Sequence, residues 1–294
     1  MRKRILILGA SGMAGHAIYY YFKEKAEYDI FSTCNRHKID ETSIMLDIYD
    51  KITLEKIIHN IKPHYIINCI GILIKESNEE PANAIYINAY FPHFLAELIS
   101  NQIPSAKLIH ISTDCVFSGS KGDYRDFDQK DALDIYGMTK NLGEIVNSRD
   151  LTIRTSIIGP ELKKDGEGLF HWLFSQKEKG FIEGYTKAFW SGITTIQLAK
   201  AIDKSIKAGS VGLWQISNNY KISKYDLLSL IINEFKLSIR ILANEKVKYD
   251  KSLICSDRKE IDYIVPSYEI MIKELYDYMF SKKNIYKYYW DKVL

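Results

Sequence analysis

Through the first half of the chain, short runs that are apolar throughout alternate with longer stretches whose apolar residues recur at helical spacing. The short runs are Arg4–Leu8, Tyr28–Cys34, Tyr65–Cys69, Lys107–Ser112 and Leu151–Ser156, and between them lie Met13–Lys25, Tyr49–Ile61, Asn83–Asn101 and Tyr136–Asn147. Strands without polar alternation are covered on both faces, and helix-length crossovers between them generate parallel β-α-β units. The pattern predicts an α/β fold built on a doubly wound parallel sheet. After Gly159 it changes to aromatic and polar segments punctuated by Gly166, Gly168, Gly180, Gly184 and Gly192, with later helical spacings at Lys224–Phe235 and from about Ser267 onward. There is no internal repeat and no low-complexity linker, so a smaller C-terminal lobe is expected to pack directly on the first.

Composition narrows the class. A chain of 294 residues, 46% apolar and 26% charged, is ordinary globular material rather than a disordered, collagen-like or disulfide-stapled one. A net charge of +3 is too small to mark the whole molecule as a nucleic-acid or membrane-surface binder, so any anion site is local. Cys34, Cys69, Cys115 and Cys255 show no metal or CxxC spacing and are expected to be reduced thiols of a cytoplasmic protein, with no metal site. The basic opening MRKRILILGASG has four apolar residues before its glycines, and Tyr65–Ile74 is short and interrupted by Asn68, Cys69 and Gly71. Neither is expected to be a leader or a membrane span.

Three features carry candidate chemistry. The first strand runs into Gly9-Ala10-Ser11-Gly12-Met13-Ala14-Gly15 and then a helix. Small residues there let the backbone approach a pyrophosphate, and the helix N-terminus favours its charge. Placed between the first strand and the first helix, the triple is expected to be a dinucleotide's phosphate loop in a Rossmann fold, although glycines also terminate strands for structural reasons alone. After the second strand stands Asn35-Arg36-His37-Lys38, with no acid where a ribose-binding carboxylate would be expected. A basic residue there accommodates a 2′-phosphate, which favours NADPH over NADH, although a solvated basic turn would look the same. Asp47, beside Ile48, either meets the adenine edge or caps the next helix. The third feature is Ser112-Thr113-Asp114 at a strand end, followed by Tyr136 and Lys140 at i and i+4. The pair shares a helix face, so the ammonium is expected to lower the phenol's pKa, and a phenol poised to donate a proton suits carbonyl reduction.

These blocks resemble the extended short-chain dehydrogenases/reductases, and within them the dTDP-4-dehydrorhamnose reductase group. The resemblance is carried by GASGMAGH at 9–16, NCIGI at 68–72, Asn88 to Glu97, STDCVFSG at 112–119, YGMTK at 136–140, RTSIIG at 154–159 and GLWQISN at 212–218. It implies catalysis by Thr113, Tyr136 and Lys140 on the C4 carbonyl of a nucleotide-linked 4-keto-6-deoxyhexose, in cell-surface polysaccharide synthesis. The implied cofactor site comprises Gly9, Ser11, Gly12, Met13, Gly15, Asn35, Arg36, Asp47, Ile48, Cys69, Ile70, Gly71, Asn88 and Lys140. Asn88 either supports Lys140 through water or marks a helix bend. The family usually has Tyr where this chain has Cys115, which puts sugar recognition at that position in question.

On the substrate side the resemblance implies Cys115, Val116, Phe117 and Trp190, with Arg258 preferred to Arg154 as the cation for a pyrophosphate. His171, Trp172, Phe189 and Trp214 either stack on a base or sugar or belong to the core. The implied division is residues 1–158 as the NADP-binding domain, the chain returning to it at about 192–218, with 159–191 and 219–294 forming the substrate-binding lobe. The Tyr- and Lys-rich end, 282–292, is expected to be solvated or a subunit contact, a homodimer being one allowed state, rather than a nucleic-acid surface. Two rivals remain: an epimerase or dehydratase of the same fold, and a non-catalytic regulatory protein such as the regulatory subunit of methionine adenosyltransferase. Asn35-Arg36 opposes the first, and an intact Thr113, Tyr136 and Lys140 opposes the second.

Overall fold

The computed structural model describes residues 2–293. Its first half alternates β1 (Lys3–Leu8), α1 (Met13–Lys23), β2 (Tyr28–Cys34), β3 (Ile44–Met45), α2 (Lys51–Ile61) and β4 (Tyr65–Asn68). Next come α3 (Ile74–Glu79), α4 (Pro81–Ala84), a π-helical turn at Ile85–Tyr90, α5 (Phe91–Gln102), β5 (Lys107–Ser112), α6 (Ile135–Leu142) and β6 (Leu151–Arg154). The second half contains β7 (Ile157–Ile158), α7 (Leu169–Ser175), β8 (Phe181–Trp190), β9 (Ile193–Thr194), α8 (Thr195–Ala208) and β10 (Gly212–Gln215). It ends with β11 (Ile222–Ser223), α9 (Lys224–Glu234), β12 (Arg240–Asp250), α10 (Tyr268–Ser281) and α11 (Lys287–Val293).

The main sheet has the order β10-β6-β5-β4-β1-β2-β3, all parallel. The order reverses at β1 and β4, and open sheets of this kind bind ligands beyond the strand ends at such a reversal. Within β1 successive residues feed opposite cores: Ile5 and Ile7 face α1 and the C-terminal half, while Leu6 and Leu8 face Leu54 of α2 and Leu95 of α5. The chain leaves the sheet after β6 and returns to it as β10, with α8 lying against α1, where Tyr21 and Tyr28 both donate to Asp203. A separate three-stranded sheet has the order β11-β8-β12, and β7 pairs with β9.

Local chemistry sets the boundaries. Asp50 accepts from Thr53 N and starts α2, and Thr194, Ser223 and Ser267 cap α8, α9 and α10 in the same way. The helix expected over Tyr136–Asn147 stops at Leu142, and the Gly143 that follows packs so closely on the Asn88 carbonyl that a Cβ would overlap it. The C-terminal end corrects its expectation: Tyr286, Tyr289 and Trp290 are buried, His16 meets Tyr286 edge to face, and the Tyr289 hydroxyl binds both Glu161 and His171. Among the described residues no helix is long and apolar enough to cross a membrane.

Candidate active site

At the end of β1 the chain turns through Gly9, whose φ of +76° is open to glycine, and a Cβ there would stand 2.8 Å from Ile70 Cγ1. Gly15 has no room either, since its Cβ would overlap the Gly9 carbonyl. These close approaches let α1 begin directly at the strand edge. Gly12 caps it with extended backbone, no side chain closes its first amides, and no acid stands in its first turn. Ser11 and Met13 flank this opening half-buried, and Cys69, Ile70 and Gly71 leave the adjacent strand β4 beside it. Small residues, open amides and a favourable dipole fit the pyrophosphate of a dinucleotide.

Around this loop the other proposed cofactor positions fall at the same sheet edge. Asn35 and Arg36 are exposed just past β2, and among the described residues Arg36 enters no ion pair. Asp47 is exposed and accepts from Tyr49 N, while Ile48 is buried. Helix capping belongs to Asp50, so Asp47 is left with its carboxylate facing outward. Asn88, fully buried in the π-helical turn, closes a two-way bond with Ile72: Ile72 N donates to its Oδ1 and its Nδ2 donates to Ile72 O, each at 3.1 Å. It therefore pins the 70–72 segment, beside Lys140 and Thr139.

The candidate reacting groups meet where β5 ends. The Thr113 hydroxyl donates to Asp114 and accepts from Cys115 N, both at 3.1 Å. Helix α6 is drawn onto this turn by Gly137, whose Cβ would overlap the Cys115 carbonyl, while Asp134 caps it through Gly137 N at 2.8 Å. Tyr136 is thereby set beside Thr113 and Cys115, and burial together with Cys115 pushes its phenol well above the usual value while the Thr113 hydroxyl opposes the shift. The phenol holds its proton across neutral pH. One turn on, buried Lys140 donates to Ile111 O at 2.7 Å, and desolvation draws its ammonium down to about 8, with Glu144 and Cys69 opposing. The expected lowering of the phenol's pKa by Lys140 is not what this arrangement gives: the Lys140 ammonium donates to the β5 carbonyl of Ile111, and burial pushes the phenol up.

Several substrate-side expectations change as well. Arg258 donates to Val211 O and Leu213 O at the start of β10 and pairs with Glu260 at 2.5 Å, which puts it at the amino end of the sheet, away from the cleft. Arg154 is fully buried in a bidentate pair with Glu144, whose carboxylate also takes Ser112 and Lys130. Val116 and Phe117 are buried with Leu253 and Tyr124, on which Phe117 stacks at 4.2 Å, so their side chains brace the turn instead of facing a ligand. Trp190 packs on Tyr268 and Trp214 on Tyr263, both in the core. Trp172 is over one-third exposed and lines a cavity of about 560 Å³ with Ile74, Lys75, Lys164 and His171. Cys115 is half-buried, and burial raises its thiol to about 12, far from a nucleophilic thiolate.

One residue at this site escaped the sequence reading. Lys251, just past β12, lies along Gly119, whose Cβ would come within 2.9 Å of Lys251 Cγ, and its amine faces Cys115, Asp114 and Asp134. In a chain with 40 Lys and Arg, nothing in its local sequence sets it apart; only pairing of distant segments does.

Residues 3–252 match the family model for the RmlD substrate binding domain. Methionine adenosyltransferase 2 subunit beta of Xenopus tropicalis is 26% identical over 283 residues, 88% of this chain and 82% of that protein. Spore coat polysaccharide biosynthesis protein SpsK of Bacillus subtilis (strain 168) is 26% identical over 265 residues, 84% of each chain. A hypothetical dTDP-4-dehydrorhamnose reductase from Sulfolobus tokodaii has a TM-score of 0.77 at 26% identity, covering 92% of this chain and 98% of its own. The dTDP-4-dehydrorhamnose reductase of Bacillus anthracis str. Ames, in complex with NADP, shares the fold with a TM-score of 0.79 at 22% identity, covering 95% and 100%. With a parallel sheet reversing at a glycine loop, and a family match over most of its length, the chain belongs to the RmlD substrate binding domain family, in the dTDP-4-dehydrorhamnose reductase group of the extended short-chain dehydrogenases/reductases.

Proposed function

We propose that this protein is an NADPH-dependent reductase of the C4 carbonyl of a nucleotide-linked 4-keto-6-deoxyhexose, acting in cell-surface polysaccharide synthesis. The observation that carries the reading is the juxtaposition of the Thr113 hydroxyl with a protonated Tyr136 phenol at the carboxyl edge of β5, on the same edge as the glycine loop. Gly9, Gly12 and Gly15 with the α1 amides would hold the pyrophosphate, Arg36 the 2′-phosphate, and Asn88 would keep the 70–72 segment against it. When bound, NADPH supplies the hydride.

The chain's own part is to bind and polarise the carbonyl and to deliver a proton. Thr113 donates to the carbonyl oxygen in place of its present bond to Asp114. Tyr136 transfers its phenolic proton to that oxygen as negative charge develops, and its raised pKa keeps the proton available until then. Lys140 is proposed to exchange Ile111 O for the phenolate and a cofactor ribose, stabilising the anion Tyr136 leaves behind. In this reading residues 1–158 and about 192–218 form the cofactor domain, and 159–191 with 219–294 the substrate lobe.

The regulatory alternative has support in the methionine adenosyltransferase 2 subunit beta relative. A panel of 4-keto nucleotide sugars incubated with NADPH, followed by absorbance and product identification, separates the two. Turnover that falls about 10²–10⁴-fold in Tyr136→Phe, with NADPH binding kept, supports reduction. No turnover on any member, or equal rates in the variant, overturns it.

A further inference from the structure

We propose that Lys251 is the cation of the second lobe that holds the diphosphate of the substrate against the Thr113–Cys115 turn, and so governs which substrates bind; this rests on the nucleotide-sugar reading above. The backbone on both sides of Lys251 is fixed to the loop that follows β5. Asp250 N donates to Gly119 O at 2.7 Å, Tyr124 N to Ser252 O at 2.9 Å, and Ile254 N to Tyr124 O at 2.8 Å. The lysine stem then runs over Gly119, a position with φ of +87° and no space for a Cβ. The side chain is thus aimed from one lobe at the reacting groups of the other.

Its surroundings answer the charge only from a distance. Although half-buried, Lys251 has no carboxylate within 4.0 Å among the described residues, whereas nearby Lys221 pairs with both Asp123 and Asp250. Asp250 is further spent on Ser252 N and Oγ. Asp114 and Asp134 lie close enough to keep the ammonium charged, but they already accept from Thr113 and Gly137, and Asp134 stands at the α6 N-terminus, where the helix dipole offsets its charge. A half-buried ammonium with no carboxylate in direct contact keeps donors to spare, and a bound anion would take them in charge-assisted bonds. Arg154 and Arg258 are committed elsewhere, as shown above.

The test uses the full chain and Lys251→Met, with Lys251→Arg as the charge-retaining variant and melting temperature plus NADPH binding as folding controls. Calorimetry with dTDP and with UDP, NADP⁺ present, is expected to show an affinity loss of about ten-fold or more in Lys251→Met and recovery of most of it in Lys251→Arg. KM for the 4-keto nucleotide sugar is expected to rise by a similar factor while kcat stays within about three-fold, as for a remote contact made equally in ground and transition states. Equal affinity of the wild type and Lys251→Met, or no binding of either nucleotide by the wild type, overturns the inference. Lysine-dependent binding without turnover of any 4-keto sugar would uphold it while refuting the reductase reading.

Discussion

At Lys140 the burial that strips water from the ammonium also decides when the site titrates. With its pKa drawn down to about 8, the residue is charged below that pH and neutral above it. If a charged Lys140 stabilises the phenolate, kcat/KM for reduction declines as pH rises through about 8, and Lys140→Arg, which cannot deprotonate, moves that limb to higher pH. A flat profile from 7 to 9 would detach Lys140 from the proton transfer. Arg36 presents the opposite case, an exposed cation with no ion-pair partner among the described residues. A charge-assisted bond to a 2′-phosphate contributes roughly 1.5–3 kcal/mol, so Arg36→Ala should weaken NADPH about ten-fold or more and leave NADH nearly unchanged in fluorescence titrations. Equal weakening of both would place Arg36 outside the cofactor site.

Among the elements, the π-helical turn at Ile85–Tyr90 shows how a local irregularity serves the site. Widening the helix there places Asn88 where its amide can satisfy both Ile72 N and Ile72 O, two groups of a segment with no strand partner. Asn88→Ala would leave both backbone groups buried and unpaired, each costing about 1–3 kcal/mol. The expected result is a lower denaturation midpoint with unchanged slope, together with weaker NADPH binding because the 70–72 segment is released. Unchanged NADPH affinity in the destabilised variant would make Asn88 a purely structural residue. The apolar spacing of Asn83–Asn101 announced a helix, but a π turn leaves no periodicity signature six residues long.

At the scale of the whole molecule, the C-terminal end closes the structure over α1 and α7. Removing residues 282–294 would expose the faces covered by Tyr286, Tyr289 and Trp290, each worth several kcal/mol of buried aromatic surface by the usual large-to-small scale. The truncated chain is expected to lose its cooperative thermal transition. Lys287→Gln with Lys292→Gln, exposed or half-exposed charges on the same segment, should shift stability by no more than about 0.5 kcal/mol. A truncated chain that melts like the full one would return this segment to the solvated tail that its lysines suggest.

What the sequence determined by itself was whatever is encoded in near neighbours. Apolar runs and helical spacings set the strands and crossovers of the parallel sheet, Gly9, Gly12 and Gly15 set the strand-to-helix loop, and the i, i+4 spacing put Tyr136 and Lys140 on one helix face. Tertiary structure alone decided which charges are free. Arg154, Arg258 and Lys251 look alike along the chain, yet the first is locked to Glu144, the second to the backbone entering β10, and the third is set against the Thr113–Cys115 turn. Each outcome depends on a partner 10, 45 or more than 100 residues away in sequence, as Glu144, Leu213 and the Asp114–Asp134 turn are. No local pattern reports such a distance, because charge pairing is settled by which surfaces the hydrophobic cores bring together.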